Sequence, residues 1–203
     1  PTSLRSVWRR AWATLTDRRA VAEANGGPRI RLVETGPELE RAFAEVDPFR
    51  MEQVFRNLFE NALDAIAEAR RTAAVQQDIR RTGAAVTVET LSGPGRSGEF
   101  DICVADDGAG LDAEAAARLF EPFFTTKQKG TGLGMAIVAR IVDLHDARIR
   151  VDRAESGGAR FRLTFSRTNR PPDPEGSELD GNVSLDQLSG RADDKRSPTG
   201  LPR

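Results

Sequence analysis

Between residues 49 and 70 the apolar side chains Phe55, Leu58, Phe59, Ala62, Leu63 and Ile66 return every three or four positions, the spacing of one face of an α-helix. Asp47-Pro48 marks where that helix opens, because proline is preorganised for a first helical turn. A second helical repeat covers residues 4–24, with Trp8, Trp12 and Leu15 set among arginines, and Asn25-Gly26-Gly27-Pro28 breaks it. Period-two alternation predicts strands at 29–34, 85–90, 100–105, 148–153 and 160–165. Ser92-Gly93-Pro94-Gly95 between the second and third of these predicts a hairpin, and shorter helices are expected at 112–119 and 134–144. Hairpins mixed with helices favour an α+β chain in two layers over a doubly wound parallel sheet.

From residue 167 onward the pattern stops. The last segment is rich in Pro, Gly, Ser and charge, with only Val183, Leu185 and Leu188 as scattered apolar residues. It cannot bury enough surface to offset its ordering entropy, so it is expected to be a disordered tail. The expected organisation is a connector helix and turn over 1–28, a catalytic domain over 29–166 and the tail over 167–203.

Composition narrows the function. The 203 residues carry 30 Lys+Arg against 31 Asp+Glu, a formal charge of −1, so no global attraction to nucleic acid or anionic lipid is implied. Any phosphate binding has to be local. One cysteine excludes an internal disulfide and one histidine argues against a zinc cluster. No apolar run approaches the roughly 18 residues of a membrane span, and a cytoplasmic, reducing setting is expected, with the parent protein free to be anchored elsewhere.

Three segments carry candidate chemistry. On the 49–70 helix, Asn57, Asn61 and Asp64 fall on one side, opposite the apolar stripe. Two carboxamides one turn apart can offer oxygens to a hard cation; taken alone, an ordinary solvated helix face is the plainer reading. Asp106-Asp107-Gly108-Ala109-Gly110 ends a strand, where a fixed carboxylate can accept from an exocyclic amine and glycines let backbone approach a flat base; the alternative is an acidic turn. Lys127-Gln128-Lys129-Gly130-Thr131-Gly132-Leu133-Gly134 precedes the apolar run Met135-Ala136-Ile137-Val138, so glycine-rich backbone feeds a helix N-terminus, a place for a polyphosphate. It is neither a Walker A loop nor a dinucleotide fingerprint. Between the last two lies Leu119-Phe120-Glu121-Pro122-Phe123-Phe124-Thr125-Thr126-Lys127, too apolar for a bare loop: either a hinged lid anchored by Phe120 or Phe123, or a hydrophobic plug.

NLFENALDA, DDGAGL, LFEPFFTTK and GTGLGMAIV, in that order, resemble the N, G1, F and G2 boxes of the ATP-binding catalytic domain of sensor histidine kinases, in the family shared with DNA gyrase, MutL and heat-shock chaperone ATPases. The resemblance spans about residues 47–165. It implies the Bergerat fold, a mixed sheet with helices packed on one face and an ATP lid. It implies ATP with Mg²⁺: Asn61 as the magnesium ligand, Asn57 assisting at the phosphates, and Asp106 as partner of the adenine amine. Gly108 and Gly110 would shape the base pocket. Lys127 would meet the terminal phosphate, and the backbone of Gly130, Gly132, Leu133 and Gly134 would cradle the phosphate chain. Asp64, Phe120, Thr125, Thr126 and Thr131 complete the expected nucleotide-binding set, with Asn57, Asn61 and Lys127 as the catalytic one.

The chain departs from the family pattern at three places. Asp107 stands where asparagine is usual, Asp146-Ala147 replaces a glycine pair, and Ala159 takes a position often held by threonine. Asp107 and Ala159 are expected to reduce nucleotide affinity. Hydrolysing relatives carry a glutamate four residues before the magnesium asparagine; Asn57 stands there, and Glu60 points about 60° away, a poor substitute base. This favours phosphoryl transfer to a histidine over a hydrolytic clamp or a non-catalytic nucleotide-binding scaffold. His145, followed by Asp146, is not expected to accept phosphate. The acceptor is then expected on a histidine-containing dimerisation domain, upstream or on a second polypeptide, with a response regulator receiver domain as the further partner and no nucleic acid or membrane segment involved. Cys103 reads as a buried small hydrophobe, and Trp8 and Trp12 as the packed side of a connector helix or a docking surface.

Overall fold

The computed structural model describes residues 1–24, 28–69, 84–92, 98–127 and 130–167. The expected tail beyond Arg167 and the turns at 25–27 and 93–95 lie outside the described residues. In chain order the elements are β1 (Thr2–Ser3), α1 (Leu4–Ala13), α2 (Thr16–Ala24), β2 (Ile30–Thr35), β3 (Phe43–Ala44), α3 (Pro48–Ala69), β4 (Ala84–Ser92), β5 (Glu99–Asp106), α4 (Ala113–Arg118), α5 (Gly134–Asp143), β6 (Arg148–Arg153) and β7 (Ala159–Ser166).

Five strands form one mixed sheet in the order β2-β4-β5-β7-β6, with β2 parallel to β4 and every other pair antiparallel. Alternation sends Val86, Val88, Ile102, Val104, Phe161, Leu163 and Phe165 to the face that α3 and α5 cover. Phe100 stacks on Phe165 with ring centroids 5.7 Å apart, closing one end of this core. The opposite face is polar but not wholly exposed. There Asp101, 1% exposed, accepts from Arg162 at 2.9 Å and from the Thr164 hydroxyl at 2.7 Å, so its charge is paired rather than stranded. The expected α+β, two-layer arrangement with helices on one face is the observed one.

Asp47 caps α3 by accepting from the amides of Phe49 and Arg50 at 2.8 and 3.1 Å, which with Pro48 in the first turn fixes the helix start. The helical run over 4–24 is two helices, not one: the chain turns at Thr14-Leu15, where the Thr14 hydroxyl donates to Ala11 O at 2.7 Å. Nor is α1 a mere connector. Leu4, Val7, Trp8 and Ala11 are fully buried in the same core as α3, with Trp8 edge-on to Phe55 at 5.9 Å and Trp12 edge-on to Phe59 at 5.3 Å. Both tryptophans are therefore packed internally and present no docking surface. Trp8 Nε1 also donates to Glu34 of β2 at 2.7 Å, and Arg9 and Arg5 donate to the same carboxylate. The Arg9 hydrogen bond outweighs burial and, with Trp8 and Arg5, holds Glu34 down to a pKa of about 2.

Candidate functional site

The site lies where the loops after β5 and α4 meet the exposed flank of α3 and the start of α5. Because the apolar stripe of α3 turns to the sheet, Asn57, Asn61 and Asp64 are left on its other flank, half-buried. That flank is covered rather than simply solvated. Asn57 Nδ2 donates to Gly134 O at 3.4 Å and Asn61 Nδ2 to Met135 Sδ at 2.9 Å, so both carboxamides face the first residues of α5. Their donor nitrogens point at α5, which leaves the oxygens for a cation.

Lys127 reaches in from the loop after α4. Its Nζ donates to Asn61 Oδ1 at 2.7 Å and to Asp64 Oδ2 at 2.7 Å. Asn61 Oδ1 and the Asp64 carboxylate are thus oxygen donors facing one cationic group, and oxygen donors of this kind are chemically compatible with a magnesium ion. Among the described residues, no group of three or more His, Cys, Asp or Glu side chains forms a further metal site.

At the other end, Asp106 closes β5. It is 3% exposed, and its Oδ1 accepts from the Gly108 amide at 2.8 Å and the Ala159 amide at 3.4 Å. Among the described residues both recurring bonds use Oδ1, leaving Oδ2 as an acceptor for a ligand amine. Burial pushes the Asp106 carboxyl up to about 6, against the two amide bonds that favour its charge, and the neighbouring Asp107 charge adds to the rise. Asp107 itself accepts from Ala85 N–H at 2.8 Å, tying the end of β5 to the start of β4. Ala159 supplies its backbone N–H to the Asp106 carboxylate, a contact its lack of a hydroxyl does not alter.

The glycines fit chain against chain. A Cβ on Gly108 would lie 2.7 Å from both Ala65 Cβ and Asp106 Oδ1, and one on Gly110 2.6 Å from Gly157 O. Gly132 adopts φ +66°, and a Cβ there would lie 2.3 Å from the Phe123 carbonyl carbon, while the Phe123 amide donates to Gly132 O at 2.9 Å. Gly134 begins α5 with open space in front of it. Gly130 and Thr125 are in contact, the Thr125 hydroxyl accepts from the Lys127 amide at 3.1 Å, and Thr126, Thr131 and Leu133 are exposed along the same loop.

The two expected lid anchors differ in their surroundings. Phe120 packs against the core, whereas Phe123 is 75% exposed, with its backbone at φ +68°. Phe124, next in the chain, lies beneath the Arg118 guanidinium at 4.5 Å. Ser156 and Gly158, in the turn between β6 and β7, lie against the end of β5 without any local sequence signal. The Ser156 hydroxyl donates to Asp106 O at 3.0 Å, and a Cβ on Gly158 would lie 1.9 Å from that oxygen. A Ser-Gly-Gly turn is too common for its spacing alone to betray this role. Arg18 of α2 pairs with Asp64 and lies 3.9 Å from Glu60.

His145 is engaged at both ring nitrogens: Nε2 accepts from the Asp47 amide at 3.1 Å, and Nδ1, as the protonated nitrogen of that tautomer, donates to Ile141 O at 2.7 Å. It is a structural tie between α3 and α5. Cys103 is 1% exposed and burial raises its thiol pKa, which suits packing and not reactivity. Among the described residues no helix is long and apolar enough to cross a membrane.

Residues 46–169 match the family model described as "Histidine kinase-, DNA gyrase B-, and HSP90-like ATPase". The chain is 36% identical over 148 residues to sensor histidine kinase ZraS of Escherichia coli O157:H7, covering 73% of this chain and 28% of the relative. It is 37% identical over 159 residues to sensory histidine kinase/phosphatase NtrB of Rhizobium meliloti, covering 75% of this chain and 38% of the relative. The chain thus spans well under half the length of these curated relatives. Among solved structures, the catalytic domain of histidine kinase ThkA superposes with a TM-score of 0.60 at 23% identity, covering 82% of this chain and 95% of that one, a likeness of fold.

Proposed function

Since the chain belongs to the histidine kinase-, DNA gyrase B- and HSP90-like ATPase family, we propose that it is the ATP-binding part of a sensor histidine kinase. In this reading it transfers the γ-phosphoryl group of ATP to a histidine on a dimerisation domain that other sequence supplies, for relay to a response regulator receiver domain. The observation that supports it is the convergence of Asn57, Asn61 and Lys127 with the start of α5 at one end of the half-buried α3 flank, with Gly108 and the buried Asp106 carboxylate near Ala65 at the other. Those two ends suit a triphosphate and an aminopurine respectively.

Asp106 Oδ2 would accept from the exocyclic amine, and the close backbone packing at Gly108 and Gly110 would leave a slot for the flat ring. The free N–H groups at the start of α5 would face phosphate oxygens. A bound magnesium ion, held by Asn61, would supply charge neutralisation between phosphate oxygens. Lys127 would bring its ammonium to the terminal phosphate, where negative charge is largest. Asn57 presents an amide where a hydrolytic base would have to stand, and an amide does not abstract a proton from water.

Mixing the chain with a histidine-bearing dimerisation domain of a related kinase, radiolabelled ATP and magnesium tests the proposal. Acid-labile label should appear on the added domain and not on this chain, and both Asn61→Ala and Asp106→Asn should abolish it. Steady release of free phosphate without label on the domain, or nucleotide binding untouched in both variants, would refute it.

A further inference from the structure

Lys127 occupies a position that the proposed chemistry also needs for something else. Its Nζ is 2.7 Å from Asn61 Oδ1, the atom assigned above to the divalent ion, and 2.7 Å from Asp64 Oδ2. An ammonium and a magnesium ion at contact distance from one amide oxygen repel each other, so the two compete for it. Asp64 in turn divides its oxygens: Oδ2 faces the lysine, while Oδ1 accepts from Arg18 of α2, a helix outside the matched region 46–169. The Arg18 bond thereby orients the carboxylate so that its second oxygen faces the loop after α4.

We infer that Asp64 is a positioning residue that acts through Lys127. With Asn61 it parks the lid ammonium on the divalent-ion oxygen until a metal–nucleotide takes that place, and it is not itself a ligand of the phosphates. The inference rests on the reading above in one respect, that Asn61 takes the ion. It makes occupation of the site an exchange of cations, so the oxygens of α3 keep a positive partner throughout. It also separates two nucleotides. A magnesium diphosphate claims Asn61 Oδ1 and offers the expelled ammonium nothing at the third-phosphate position, whereas a magnesium triphosphate receives it.

The test is the acylation rate of Lys127 by a water-soluble succinimidyl ester at one fixed pH, read by mass spectrometry on its peptide. In the chain without nucleotide, Lys127 should react about two- to fivefold more slowly than in Asp64→Asn or Asn61→Ala, the range expected for loss of an exposed ion pair. Asp64→Glu should restore part of the protection. Mg·ADP should raise the wild-type rate towards that of Asn61→Ala, ADP with a chelator should not, and a magnesium-bound non-hydrolysable triphosphate should keep the rate low. Equal rates in wild type and both variants would overturn the inference, as would no response to Mg·ADP under conditions where calorimetry shows it bound. If calorimetry finds no nucleotide binding, the functional reading fails, while the comparison of nucleotide-free proteins still decides whether Lys127 is parked. Thermal melts confirm that each variant is folded, and the two variants remove different partners, so a misfolded one leaves the other to decide.

Discussion

Replacing Asp106 with asparagine should make the protein more stable and useless for its proposed ligand. The carboxyl is raised from 3.8 to about 6 chiefly by burial. A raised carboxyl pKa means that the group favours folding fully below about 3.8 and loses that contribution as pH rises through about 6. At neutral pH the ionised side chain therefore opposes folding by about 3 kcal/mol, taking 1.36 kcal/mol per pKa unit, an order-of-magnitude value for a side chain almost wholly out of solvent. Asparagine keeps an oxygen for the Gly108 and Ala159 amides and removes the charge. Urea titrations followed by the fluorescence of the buried Trp8 and Trp12 should give Asp106→Asn a gain of about 3 kcal/mol at pH 8, about half that at pH 5, and almost none below pH 4. Nucleotide binding measured by calorimetry should vanish in the variant, and in wild type should weaken as pH falls below about 6, when the acceptor carboxylate gains a proton. A gain in stability independent of pH, or a destabilised variant, would refute the account of a desolvated carboxylate.

Two further outcomes test the packing. Gly158→Ala sets a methyl group 1.9 Å from Asp106 O, so it should cost more than about 2 kcal/mol in denaturant titrations and lower nucleotide affinity with it. Glu34→Ala removes the carboxylate that receives Trp8, Arg9 and Arg5, and should cost about 2 kcal/mol at pH 7. Since the Glu34 pKa is depressed from 4.5 to about 2, its contribution is present above pH 4.5 and is lost as pH falls through about 2, so wild type and variant melts should converge in strong acid.

What the sequence made legible was whatever repeats locally. The stripe from Phe55 to Ile66 predicts α3 within a residue or two, and the alternation of Phe161, Leu163 and Phe165 predicts β7, because burial on one face imposes a period that a short window reveals. The run from Gly130 to Gly134 likewise announces the start of α5. Contacts between distant segments stayed hidden. β1 and β3 pair as two residues against two, too short for any alternation to register. Thr14 offered no breaker such as Gly or Pro where the helical run divides. The Lys127 bonds to Asn61 and Asp64, the Arg18 bond to Asp64 and the approach of Gly158 to Asp106 span many residues of chain and leave no local trace. The exposure of Phe123 beside the packed Phe120 depends on a positive φ that an Arg-Leu-Phe-Glu-Pro-Phe-Phe string does not disclose.

The single imidazole gives the helical layer an uneven mechanical character. Helices α3 and α5 run antiparallel, riveted through His145 where α3 begins and α5 ends, and joined between the middle of α3 and the start of α5 by an amide–thioether contact and a 3.4 Å bond. Forces that spread the pair should then swing it about the riveted extremity, concentrating displacement around Gly134 and sparing the far end. A guest that wedges between them would do its bending work where it sits, while the rest of the layer stays as a fixed footing.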